Sequence, residues 1–273
     1  NMTGYVIVDT LHIINGEKQT TMQQFELTIE DNSNEMTNAH TMSIRSDYLT
    51  ADLDGLFLYN TLPTTVLHLL HAHIPSVVEQ PVCASTNNHV EMQAKIRNFT
   101  PILQVLELGI DLPDAFDIKG HIYEDQQEFE IKTYIPYIRT SGTNMENIEI
   151  ALDNHNDQLE LSLSVLNHLP KDNPTAAKLG DIKAGIKLSA KNDALDLLVN
   201  LENTDKVRNE GTIHAASQLS RNNDTVQLDI QILPTNFILN DSSWNISEAN
   251  IRYVPAKKII DVHNFALYTD YQS

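Results

Sequence analysis

Apolar and polar residues alternate with a period of two through 148–232, and the pattern is written three times. Ile148, Ile150 and Leu152 alternate with polar neighbours, a turn follows at 154–157, and Leu159, Leu161, Leu163 and Val165 resume the alternation. Ile182, Ala184, Ile186 and Leu188 lead to a turn at 191–193 and a return through Leu195, Leu197, Val199 and Leu201. The third copy opens weakly with Ile213 and Ala215, turns at 221–224, and returns through Val226, Leu228, Ile230 and Ile232. Every turn carries Asn-Asp (156–157, 192–193, 223–224), residues that tolerate the positive φ of tight hairpins. Successive side chains of a strand point to opposite faces of its sheet, so the stretch predicts hairpin after hairpin, each with one apolar and one wet face.

Other segments extend the same theme. Residues 5–14 are rich in β-formers, Asn15-Gly16 is a hairpin signal, and Phe25, Leu27 and Ile29 alternate on the return. Met42 and Ile44 mark a further strand, and 48–58 another in which Gly55 reads as a bulge. Leu62-Pro63 opens a helical pattern through Val66, Leu67, Leu69, Leu70 and Ile74, stopped by Pro75. Thr100-Pro101 opens a second short helix ending near Gly109. Strands also fit 90–96, 117–140 and five short runs beyond 237. The fold class is therefore mainly β, built from repeated antiparallel hairpins with two short helices. The segment 75–89, with Pro75, Pro81 and a Ser-Thr-Asn-Asn run, predicts a hinge between an N-terminal β unit (1–75) and a hairpin segment (90–273).

Composition narrows the partners. The net charge of −19 argues against nucleic acid, which needs clustered Lys and Arg. It would also discourage flat docking on an anionic bilayer. Cys83 is the single cysteine, which leaves no intrachain disulfide framework. No run approaches the roughly 18 apolar residues of a membrane-spanning helix. The chain opens close to a strand and stops without a capping element, so it reads as an internal piece of something longer, with any membrane anchor expected outside it.

The motifs of common enzymes are missing from the chain. There is no glycine-rich nucleotide cradle, no phosphate loop, no Gly-x-Ser-x-Gly elbow and no His-Glu-x-x-His helix. His68 and His71 share a helix face at a spacing that can ligate metal, but nearby acids do not complete a shell, and the polar side of an amphipathic helix explains them. Asp52/Asp54 and Asp111/Asp114 could be drawn as a carboxylate couple. With 37 acidic residues such pairs arise by chance. Trp244 reads as a packing residue between strands. No catalytic residue, cofactor or metal is expected.

Three stretches carry a resemblance: 46–55 (Ser-Asp-Tyr-Leu-Thr-Ala-Asp-Leu-Asp-Gly) running into Leu62-Pro63 and closing on Ile74-Pro75; 98–103 with Leu112-Pro113; and 239–246 through 259–265 to Gln272-Ser273. Together they resemble the TamB/AsmA-like superfamily in its Bacteroidetes form, with Asp261 standing where that pattern has an apolar residue. The resemblance implies a long curled sheet (a β-taco, or repeating β-groove) in an inner-membrane-anchored periplasmic protein. It also implies phospholipid movement between the membranes, with a role in inserting outer-membrane barrel proteins.

The residues agree with that mechanism. An acyl chain in water costs ~0.8 kcal/mol per CH₂, and a trough lined by aliphatic side chains shelters it without specific polar contacts. The expected lining is Ile148, Ile150, Leu152, Leu159, Leu161, Leu163, Val165, Ile182, Ile186, Leu188, Leu195, Leu197, Val199, Val226, Leu228, Ile230 and Ile232. The helix at 62–74 is a candidate cover. The alternative is a structural or assembly module whose sheet receives a protein strand, for example from an outer-membrane β-barrel protein.

Overall fold

The structure, a computed structural model, describes residues 3–32, 39–82, 87–140, 142–168, 180–203, 207–222 and 225–269. Cys83, the turn at 223–224, most of the polar loop at 168–176 and the tail at 270–273 lie outside them. Among the described residues, nineteen strands join in one long antiparallel sheet that is not closed, accompanied by two short α-helices. No helix among them is long and apolar enough to cross a membrane.

The chain divides into two compact units, one of Asn1–Val66 with Val82–Ala151, the other of Leu67–Pro81 with Leu152–Ser273. This differs from the division expected at 75–89. The strands on either side of that segment pair residue for residue, from Leu49↔Ile96 to Leu56↔His89, and so hold 1–66 and 82–151 together.

The first unit contains β1 (Gly4–Asn15), β2 (Lys18–Asp31), β3 (Ala39–Arg45), β4 (Leu49–Leu56), the first half of the helix α1 (Leu62–His71), β5 (His89–Ile96), the helix α2 (Thr100–Val105), β6 (Ile110–Asp111), β7 (Phe116–Tyr123), β8 (Glu128–Thr140) and most of β9 (Asn144–Asp153). Pairing runs β1–β2–β3–β4–β5–β7–β8, with β6 against the far end of β8. Gly55 is not a bulge, because its register with β3 and β5 is unbroken. It is required for another reason: φ is +149°, and a Cβ there would meet the His89 carbonyl oxygen at 2.0 Å.

The first turn of α1 is pinned to this sheet by a buried polar network. The Glu124 carboxylate accepts from Thr65 Oγ1 (3.0 Å) and from the Asn88 amide (2.9 Å), while Asn88 Nδ2 donates to Thr61 and Thr65. Because these buried groups answer one another, the desolvation cost of the carboxylate is offset. In the sheet Val90, Ile122 and Phe129 form one buried row, and Phe57 just after β4 is buried too, while α2 packs against β1 and β2 with Ile102, Leu103 and Val105 buried.

The second unit contains β10 (Leu159–His168), β11 (Ile182–Lys191), β12 (Ala194–Asn203), β13 (Glu210–Asn222), β14 (Thr225–Ile232), β15 (Thr235–Leu239), β16 (Ser242–Ile246), β17 (Ala249–Val254), β18 (Ile259–His263) and β19 (Leu267–Tyr268). The turn between β11 and β12 places Asn192 at φ +50° and Asp193 at φ +66°, as the Asn-Asp pair predicts for a two-residue hairpin. Asn240-Asp241 builds the same turn between β15 and β16, with φ +51° and +58°. At β13 the sheet forks: 215–222 pair with β14, whereas Glu210 and Gly211 pair with β15. One arm continues β14–β17–β18 and the other β15–β16–β19.

Candidate functional site

Register decides which side chains share a face. Across the second unit one row reads Leu161, Leu188, Leu197, Ala215, Ile232, Ala249. The next reads Leu163, Ile186, Val199, Ile213. On the other side lies Leu159, Ala190, Leu195, Ser217, Ile230, Ile251. Leu228 stands opposite Leu219, and Val226 opposite Arg221, on the same face, and Ile182 shares it at the far end of β11. Every expected lining residue of β10, β11, β12 and β14 thus falls on one apolar face. Ile148, Ile150 and Leu152 share one face of β9, and of the whole expected set only Ile148 is fully buried.

The remaining lining residues are half-buried. The fully buried apolar residues of β10–β17 are alanines, with Ala190 and Ala215 at 3% exposure and Ala249 at 0%. The small side chains are buried while the Leu, Ile and Val beside them keep part of their apolar surface exposed. The opposite face is polar and self-satisfied. His214 Nε2 lies 2.6 Å from Asp196, Arg252 Nε donates to Asp229 at 2.9 Å, and Thr212 donates to Asn200 at 2.7 Å. The hydrogen bond from Arg252, helped by Gln227, holds the Asp229 carboxyl below its usual range.

One end of the apolar face is covered. Arg221 projects from that face and donates Nε to the Ser76 carbonyl (2.9 Å) and a terminal nitrogen to Glu79 (2.6 Å). Asp193 accepts from the Ser76 amide (2.9 Å) and hydroxyl (2.8 Å), and its own amide donates to the His73 carbonyl (2.9 Å). Segment 67–81 therefore lies over the hairpin end of β11–β13, with Leu69 and His73 buried. Burial lowers the His73 pKa, Asp157 works the other way, and Lys191 lowers it further.

The other end holds an apolar cavity of about 230 Å³, lined chiefly by Ile182, Leu201, Ile213, Phe237, Leu239 and Ile246. It exists because of the fork. A Cβ on Gly211 would meet Phe237 Cβ at 2.4 Å, so only glycine lets Phe237 close on β13. Of these residues the alternation names Ile182 as lining. Leu201 and Ile213 lie in the alternating run, while Phe237, Leu239 and Ile246 belong to short strands whose partners local sequence does not reveal. The lone glycine in the weakly alternating strand was the available signal.

Other candidates resolve into structural roles. His71 Nδ1 sits 2.6 Å from the Val78 carbonyl, and His68 also has a partner. Asp54 accepts from Thr41 and Asp52 from Ser43 and Arg45. Burial opposes the Asp52 charge, but those bonds prevail and keep its pKa low. Asp111 accepts from Gln104. Trp244 stands opposite Phe237. No family model, curated protein or solved structure matches the chain.

Proposed function

We propose that the second unit is a non-enzymatic lipid-handling surface, whose apolar sheet face shelters acyl chains for transport between inner and outer membranes. The observation that carries this reading is an aliphatic face across β10–β14 on which, among the described residues, the alanines are fully buried while the larger lining residues stay partly exposed. Burying each CH₂ of a chain there recovers ~0.8 kcal/mol, and rows that carry only Ser217 among aliphatic and alanine side chains let a chain slide along them. The resemblance to the TamB/AsmA-like superfamily supports the same reading and a periplasmic setting. Outward polar ladders and the charge of −19 favour solubility over stacking of sheets.

The test is lipid extraction and native mass spectrometry of the gently purified chain, with acyl-chain photo-crosslinking. Leu161→Asp with Leu197→Asp, flanking Leu188 in one row, should abolish crosslinking and leave the circular dichroism unchanged. Unfolding of that variant would mean the row is an internal core and would end the lipid reading. A second reading is strand addition by a barrel protein. β18 favours it, since all five of its residues are exposed, including Ile260 and Val262.

A further inference from the structure

We infer that the Phe237 cavity is the entry seat for a single acyl chain of an amphiphile with an uncharged or zwitterionic headgroup, held head-outward at the β12–β13 end. The inference rests on the lipid reading and adds orientation and headgroup class to it. Orientation follows from the two ends of the face. Segment 67–81 covers the Asp193–Arg221 end, which leaves the cavity end as the way in. From the cavity the Ile186–Val199–Ile213 row leads to Leu188, Leu197 and Ala215, so the chain runs inward toward the covered end. At about 230 Å³ the cavity exceeds one that accepts benzene and falls short of a whole drug-sized ligand, which suits one stretch of a single chain.

The rim excludes an anionic head. Glu202 and Glu210 border the cavity, Arg208 is already engaged by Glu210, and Asp241 bonds the Arg208 amide. Asn203 and Asn209 spend their side chains on this same loop: Asn203 Oδ1 accepts the Asn209 amide at 2.8 Å, and Asn209 Oδ1 accepts the Asn240 amide at 2.9 Å. Among the described residues that line the cavity there is no lysine or arginine to meet a carboxylate, and the side chains of Asn203 and Asn209 are engaged within their own loop. Selection falls to charge alone.

Trp244, the single tryptophan, faces Phe237 across the strand pair and reports on this site. The experiment titrates the chain with lysophosphatidylcholine carrying a nitroxide near the glycerol end or near the methyl end of its chain. The glycerol-end label should quench Trp244 several-fold more than the methyl-end label. Leu201→Phe with Ile213→Phe, which fills the cavity from two positions that are not fully buried, should remove the difference. Palmitate should bind roughly tenfold more weakly at neutral pH, from like-charge repulsion at the rim. Stronger quenching by the methyl-end label, or no quenching while lipid still crosslinks to the Leu161 and Leu197 row, would overturn the inference and leave the lipid reading standing. Palmitate binding as tightly would overturn the headgroup class. Absence of any lipid binding would remove both.

Discussion

The two units use the same β-hairpin grammar and end with different interiors. In the first, Val90, Ile122 and Phe129 form a fully buried row that continues the register of Gly55, and Phe57 is buried as well. In the second, the corresponding apolar rows bury alanines and leave leucine, isoleucine and valine half-exposed. Each unit has a helical segment tied down by polar bonds, through Asn88 and Glu124 in one and Asp193 and Arg221 in the other. Alternation alone does not make a core. A core needs large side chains at positions that something else covers, and the second unit keeps its large side chains where little does.

The sharpest way to break that contrast is to truncate one residue from each. Phe129→Ala should cost about 3–5 kcal/mol in denaturant unfolding, the range for emptying an aromatic site in a closed core. Leu197→Ala, half-buried in the open row, should cost about 1 kcal/mol, because most of what it loses is partial burial with little cavity left behind. Equal costs would show that the second face is sealed.

Much of this was legible in advance. The strand alternation, the Asn-Asp turn at 192–193 and the face shared by Leu161, Leu188 and Leu197 follow from local pattern, because a period of two and a two-residue turn fix register by themselves. What could not be read was decided by distant residues. The Ser76–Asp193 bonds join positions 117 apart, so segment 75–89 looked like a hinge although its first part is docked on the second unit. The fork at β13 depends on Gly211 meeting Phe237, and the lone glycine marks a special position without naming its distant partner. Gly55 was recognised as special for the wrong cause, since close approach of His89 leaves the same glycine in sequence as a bulge does.

The docked segment offers a smaller lever on the comparison. Asp193→Gly keeps the positive φ of the hairpin and removes both acceptors of Ser76. Amides of 76–78 should lose about 1–3 kcal/mol of hydrogen-exchange protection while β10–β12 keep theirs. Lipid crosslinking to Leu195 and Leu159 should rise as that end of the face is uncovered. Unchanged protection would show that apolar contacts around Leu69 hold the segment without the Asp193 bonds.

The mildest effect is that of pH, and its sign is fixed by burial. Because His73 is held neutral by burial, its pKa in the folded chain lies below the ordinary histidine value of about 6.5. The unfolded or undocked chain therefore takes up the proton first, and the stability it contributes is complete above that value and declines as pH falls toward the folded-state pKa. Asp157 nearby has its own pKa lowered by the hydrogen bond from Lys191, so its contribution persists to more acidic pH and does not confuse the window just under 6.5. Acidification from pH 7 to about 5 should loosen the amides of 76–78 in the native chain, measured by hydrogen exchange corrected for intrinsic rate. A His73→Gln variant should show a flatter response over the same interval. If the native chain and the variant respond alike, protonation of His73 does not govern the docking, and Asp193 and Arg221 carry the attachment alone.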